Sequence, residues 1–132
     1  MRRIIVATLA LLLALVTAGC SSTTSIGEKL DPATFLAQAA EPGVVVIDVR
    51  SPQEYAEGHL EGALNINVEA PDFDAQIAAL DPGMTYALYC RSGRRSSVAA
   101  QRMAEAGFGS VIDLEGGMAD LAAAGAPVAT SP

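Results

Sequence analysis

Two short runs limit what this chain can fold into more than any other feature. Val44-Val45-Val46-Ile47-Asp48-Val49 and Thr85-Tyr86-Ala87-Leu88-Tyr89 are almost unbroken stretches of β-branched, aromatic and small apolar residues. A strand covered on one face alternates apolar with polar residues. A strand that does not alternate is covered on both faces, as in a parallel sheet with crossover helices on either side. Shorter strands are expected over residues 63–67 and 110–113. Helix starts stand between these runs. Asp31-Pro32 and Ser51-Pro52 each put a capping side chain before a proline at the first helical position. Glu54, three residues after Ser51, completes a capping box. Further helices are expected over 72–80 and 97–106, the second followed by Gly107 where a glycine cap belongs. Strand and helix alternate without an internal repeat, which predicts one compact α/β domain built on a parallel sheet.

The first thirty residues follow another pattern. Met1-Arg2-Arg3 is a basic head, and residues 4–18 are apolar apart from Thr8 and Thr17. That run is shorter than the roughly 20 residues a membrane-spanning helix needs and suits the apolar region of a signal peptide. It closes on Val16-Thr17-Ala18-Gly19-Cys20, followed by Ser21-Ser22-Thr23-Thr24-Ser25. Small residues directly before a cysteine resemble the lipobox of bacterial lipoproteins, although Thr17 stands where that family usually has Leu. The resemblance implies cleavage before Cys20, a diacylglycerol thioether on its sulfur and acylation of the new N-terminus. The organisation expected is a signal peptide over 1–19, a lipid-anchored polar tether over 20–30, the folded domain over 31–126 and a short tail over 127–132. The domain would then sit in the cell envelope, facing the periplasm or the exterior and held to a membrane by its lipid.

Charge and cysteine count narrow the function. The chain carries −7, and loss of residues 1–19 with two of its eight basic side chains leaves −9. Such an acidic body argues against a nucleic-acid partner, whose phosphates call for Lys and Arg. With Cys20 under lipid, Cys90 is the only free thiol of the exported part, where paired cysteines ordinarily oxidise. Such a thiol is either buried and inert or exposed and used.

Cys90 follows the second buried run and precedes a helix, the place at the carboxyl end of a parallel sheet where ligands bind. The segment Cys90-Arg91-Ser92-Gly93-Arg94-Arg95-Ser96-Ser97 surrounds it with features that lower a thiol's pKa, cationic side chains and a helix N-terminus. With Arg102, this stretch holds four of the six basic residues beyond position 19, a cationic spot on an acidic body.

Cys90-Arg91-Ser92-Gly93-Arg94-Arg95-Ser96, entered from a Tyr-ended strand, resembles the active-site loop of rhodanese-type sulfurtransferases. Two further stretches resemble that family in order: Ile47-Asp48-Val49-Arg50 through Glu54-Tyr55 to Gly58-His59-Leu60-Glu61-Gly62-Ala63-Leu64-Asn65-Ile66, and Val111-Ile112-Asp113-Leu114-Glu115-Gly116-Gly117-Met118. Leu121 stands near the place where the family commonly has Trp. The resemblance, over residues 30–126, implies a rhodanese fold: a five-stranded parallel sheet flanked by helices. It also implies sulfur transfer. The Cys90 thiolate would take the outer sulfur of an anionic sulfane donor such as thiosulfate, and pass it to a thiol or cyanide acceptor. Backbone N–H groups from Arg91, Ser92, Gly93, Arg94, Arg95 and Ser96 would cradle the persulfide, and the three arginines would hold the departing sulfite. No metal or other cofactor is implied.

Two other functions share this fold. The phosphatase and arsenate-reductase branch has an arginine six places after its cysteine. Here that place is Ser96, and Tyr89 stands where those phosphatases usually carry His. A catalytically silent binding module is the second. His59, the only histidine, is expected to be a hydrogen-bonded part of the scaffold. Asp48 and Arg50 are also scaffold, with Arg50 free to pair with Glu54 or Glu57, and Tyr55 and Phe73 are core.

Overall fold

The computed structural model describes residues 26–131. The expected signal peptide, Cys20 and the first part of the tether lie outside the described residues. Five parallel strands form one sheet: β1 (Ile26–Leu30), β2 (Val44–Asp48), β4 (Leu64–Asn65), β5 (Thr85–Tyr89) and β6 (Ser110–Leu114), in the order β1-β6-β5-β2-β4. A separate antiparallel ribbon joins β3 (His59–Leu60) to β7 (Val128–Ala129). The helices are α1 (Pro32–Ala39), α2 (Pro52–Glu57), α3 (Phe73–Ala78), α4 (Arg94–Glu105) and α5 (Met118–Ala123).

The central strands carry side chains into two cores. From β5, Tyr86 and Leu88, followed by Cys90, pack with Phe73, Ile77, Ala99 and Met103 of α3 and α4. Ala87 and Tyr89 point the other way and pack with Phe35 of α1 and Leu121 of α5. This two-sided burial is the physical source of the unbroken apolar runs. The expected caps form as well. The Asp31 carboxylate accepts from the N–H groups of Ala33 and Thr34. Ser51 Oγ accepts from the Glu54 N–H, and the Glu54 carboxylate accepts from the Ser51 N–H. Tyr89, covered on all sides, places its hydroxyl 2.9 Å from the Leu60 N–H and accepts from it.

The domain is wider than expected at both ends. Residues 26–30, assigned to the tether, form the edge strand β1, with Lys29 in register beside Asp113 of β6 and Leu30 buried in the core. The tail is likewise part of the fold at Val128 and Ala129, which pair with Leu60 and His59. Both pieces are edge elements exposed over much of their length, so neither shows the apolar pattern of a central strand. α4 starts at Arg94, three residues before the expected helix at 97.

Arg50 also departs from expectation. Its guanidinium turns inward, donating to both Asp48 carboxylate oxygens (Nη2–Oδ2 2.5 Å) and to the Gly58 carbonyl at 2.6 Å. Neither Glu54 nor Glu57 is its partner. A buried pair of this kind fixes the carboxyl end of β2 against the turn before β3 and remains a scaffold element. His59 is scaffold too. Its ring stacks on Tyr55 with centroids 3.6 Å apart, and Nδ1 donates to the Tyr55 carbonyl at 2.7 Å.

Candidate active site

β5 delivers Cys90 to the carboxyl edge of the sheet, directly under the start of α4. Cys90 has no exposed surface, so it departs from both alternatives expected of a lone thiol: it is buried, yet its sulfur is surrounded by hydrogen-bond donors and not by apolar groups alone. Gly93 is the N-cap of α4 and provides no side-chain cap, so the first turn keeps free N–H groups. The Cys90 sulfur takes the place of a capping oxygen. Sγ accepts from the Gly93 N–H at 3.0 Å, and Ser96 Oγ lies 3.6 Å away. Burial pushes the Cys90 thiol up. Hydrogen bonds from the Ser96 hydroxyl and from the N–H groups of Ser96, Ser92 and Gly93 outweigh it, and the thiol ends below its ordinary value of 9.0.

Two glycines make this geometry possible for different reasons. Gly93 has φ +95°, a left-handed conformation in which a side chain is strained, and a Cβ there would lie 3.1 Å from Gly116 O. Gly117 is extended (φ −148°), so any residue could adopt its backbone angles. Its requirement is space, because a Cβ would fall 1.7 Å from Arg91 O. The Gly116-Gly117 turn after β6 thus lies directly against the Cys90 loop, and the Met118 N–H donates to the Cys90 carbonyl at 3.0 Å.

The arginines divide. Arg95 forms a two-point pair with Glu54 of α2, with both guanidinium–carboxylate contacts at 2.8 Å, and reaches Glu69 at 3.5 Å. Arg102 pairs with Asp74 at 2.7 Å, donates to the Val68 carbonyl and lies over the Phe73 ring. The hydrogen bonds of these two go to α2, α3 and the adjoining loops, although the Arg95 charge still interacts with Cys90 behind its stronger pairing with Glu54. Arg91 and Arg94 are exposed and make no ion pair among the described residues. They flank the loop on two clefts. One, about 460 Å³, is lined by Arg91, Arg50, Glu54, Glu57 and the Met118 face of α5. The other, about 350 Å³, is lined by Arg94, Arg95, Val68, Glu69 and Val98. Ser92 is exposed at the tip of the loop, whereas Gly93 and Ser96 are buried beneath it.

The structure thus places Cys90 and the residues of its loop together at the carboxyl edge of the sheet, with Arg95 and Arg102 paired to acids of other elements. The Cys90 pKa is lowered chiefly by backbone and hydroxyl donors, while two of the four clustered arginines form their hydrogen bonds and ion pairs elsewhere. Gly117 is not among the site residues expected from the sequence. Its signal was available, since paired glycines directly after a buried strand mark a close approach of two backbones.

The comparisons with known proteins agree with this architecture. The family model for the rhodanese-like domain matches residues 31–124. The chain is 34% identical over 100 residues to a tRNA uridine(34) hydroxylase of Acaryochloris marina, covering 73% of this chain and 32% of that protein. It is 40% identical over 81 residues to the thiosulfate sulfurtransferase GlpE of Pseudomonas paraeruginosa, covering 61% of this chain and 71% of that protein. The chain spans about a third of the length of the hydroxylase. Among solved structures, the Alr3790 protein from Anabaena superposes with TM-score 0.69 at 27% identity, over 77% of this chain and 92% of that one. A rhodanese from E. coli, solved with anions, superposes with TM-score 0.55 at 32% identity, over 67% of this chain and 99% of that one. A parallel five-stranded sheet, a cysteine at the end of its central strand and a family match over most of the described residues lead to one assignment: the chain belongs to the rhodanese-like domain family.

Proposed function

We propose that this protein is a sulfurtransferase that carries sulfane sulfur on Cys90. The Cys90 thiolate attacks the outer sulfur of thiosulfate or a related persulfide donor. A new S–S bond forms to Cys90 as the donor's own bond to that sulfur breaks, and sulfite or a thiolate leaves with the electron pair. A thiol or cyanide then attacks the terminal sulfur of the Cys90 persulfide and returns the thiolate. No external oxidant or reductant takes part, and the transfer is split into two displacements of lower barrier.

The observation that carries this reading is the Cys90 sulfur seated at the uncapped start of α4, with the Gly93 N–H 3.0 Å away. The same donors that hold a thiolate suit the terminal sulfur of a persulfide anion, as helix starts suit other anions. Arg91 and Arg94, free of ion pairs among the described residues, supply charge for an anionic donor and its leaving sulfite. Arg95, held by Glu54, acts as a brace between α2 and α4. The thiosulfate sulfurtransferase GlpE among the relatives supports this chemistry. Incubation with thiosulfate followed by intact-mass measurement tests it. A gain of one sulfur atom is expected in the wild type and not in Cys90→Ser. Absence of a gain with any sulfane donor would instead point to a silent binding module.

The location proposed for this chemistry is the envelope side of a bacterial membrane, through lipid on Cys20. Mass analysis of the N-terminal peptide from detergent-extracted protein checks it. A diacylglyceryl Cys20 is expected, and an intact Met1 in the mature protein would refute it.

A further inference from the structure

We propose that Lys29, at the edge of the sheet and far in sequence from the loop, is a positioning residue for Cys90. It acts with Asp113 and Ser97 to hold the Gly93 carbonyl. Lys29 Nζ stands 2.6 Å from Asp113 Oδ2, 2.6 Å from Ser97 Oγ and 3.4 Å from Gly93 O. Ser97 Oγ in turn lies 2.8 Å from Gly93 O and 3.0 Å from Asp113 Oδ2. The register of β1 on β6 sets Lys29 opposite Asp113, so the strand pairing itself builds the network.

The network bears on the thiol through one shared proton. Ser96 Oγ lies 3.2 Å from Gly93 O and 3.6 Å from Cys90 Sγ, and its single proton serves one of them at a time. If Gly93 O had no other side-chain donor, the Ser96 hydroxyl would be retained there. Lys29 Nζ supplies that carbonyl, as does the Ser97 proton when it is not turned to Asp113 Oδ2. The Ser96 proton is then free to turn to sulfur when the thiol ionises. The same donors fix the Gly93–Arg94 peptide plane and so help hold Gly93 in its left-handed conformation, from which the Gly93 N–H points at Cys90 Sγ.

Asp113 shows that the arrangement is not ordinary surface pairing. Its side chain is 1% exposed, and Oδ1 has no hydrogen-bond partner among the described residues. A buried carboxylate left half-satisfied is destabilising, and an apolar residue at this place in β6 would pack without that cost. The partners of this acid among the described residues are Lys29 and Ser97, the two members of the network that reach the Gly93 carbonyl.

The inference rests on Cys90 being the nucleophile, yet its test reads the thiol whether or not sulfur is transferred. The rate of Cys90 alkylation by iodoacetamide, a neutral reagent, is followed against pH by peptide mass analysis, which separates Cys90 from Cys20. Melting temperature is recorded beside it. For Ser97→Ala, which removes no charge, the midpoint is expected to rise and the rate below it to fall about threefold to tenfold, the worth of one hydrogen bond. Lys29→Met should move it the same way and Lys29→Arg should restore it. Asp113→Asn separates positioning from simple charge effects. Removing a negative charge would by itself lower the midpoint, whereas loss of the network raises it. A midpoint that falls or stays fixed in Asp113→Asn and stays fixed in Ser97→Ala would overturn the proposal, whatever happens to the melting temperature. Should Asp113→Asn fail to fold, Ser97→Ala and the Lys29 pair decide it.

Discussion

Gly117→Ala adds a single methyl group at a backbone conformation that alanine adopts freely, so its entire effect comes from space. The added Cβ would stand 1.7 Å from Arg91 O, 2.3 Å from Arg91 C and 2.9 Å from Ser92 N. Cβ contacts do not fall under 3.0 Å, so the turn and the Cys90 loop must separate by about 1.3 Å. All three atoms belong to the backbone, and no side chain can swing aside to relieve them. The separation also stretches the Met118 N–H to Cys90 carbonyl bond from 3.0 Å to beyond about 4 Å, which removes it. Overpacking of this kind costs about 1–3 kcal/mol and the lost bond about 1 kcal/mol more. For a domain near 100 residues, each kcal/mol lowers Tm by roughly 4–8 °C. The chemistry should suffer more than the fold. A displacement near 1 Å of a reacting group costs on the order of a hundredfold in rate. The assay is the initial rate of sulfur addition to Cys90 from thiosulfate, read by intact mass at a temperature where circular dichroism shows the variant folded. A folded Gly117→Ala that loads sulfur within about threefold of wild type would show that the contact between the Gly116-Gly117 turn and the loop does not set the geometry of Cys90.

Three further outcomes follow from the division of the arginines. Arg91→Ala and Arg94→Ala should each raise KM for thiosulfate, by about threefold to tenfold for a lost charged contact, with Tm nearly unchanged. Arg95→Ala should show first as a lower Tm, because its guanidinium braces α2 against α4 through Glu54. The third concerns acid. The Arg95 guanidinium beside Glu54 holds its carboxyl at about 2, against an ordinary 4.5. A depressed folded-state value stabilises the protein fully above the unfolded value and loses that contribution as pH falls from about 4.5 towards 2. The pair is partly exposed, so solvent screening limits it to about 1 kcal/mol. Urea titrations of wild type and Glu54→Gln should differ by that amount at pH 7 and converge near pH 2. A constant difference across this range would contradict the assignment.

The sequence made the middle of the sheet legible and left its edges obscure, for one physical reason. Val44 to Val49 and Thr85 to Tyr89 are covered on both faces, fully from Ile47 and Tyr86 onward and partly before them, so solvent imposes no alternation and the runs stand out. Ile26 to Leu30 pair on one edge only, with Glu28 and Lys29 left exposed, and their composition matches a linker. That misreading concealed Lys29, the residue linking the edge strand to the Cys90 loop. Local chemistry was clear wherever partners lie close in sequence, as at the Ser51–Glu54 capping box and the Cys90–Gly93 turn. Partners distant in sequence were not visible. Nothing in Arg95 announces Glu54, 41 positions away, and a rule based on charge density counts both Arg95 and Arg102 as cations at the site. The Gly117 contact with Arg91 is likewise a meeting of two loops that only the strand order β6 beside β5 brings together.

Hydrogen-bond donors at the start of α4, more than arginine charge, hold the Cys90 pKa below its ordinary value. The pH midpoint of Cys90 alkylation in the wild-type protein, measured at low and at about 1 M salt, tests it most directly, because salt screens charges at a distance but leaves short hydrogen bonds largely intact. The expected midpoint lies below that of an ordinary cysteine and is nearly the same at both salt concentrations. A midpoint at or above the ordinary value, or one that climbs to it when salt is added, would contradict it.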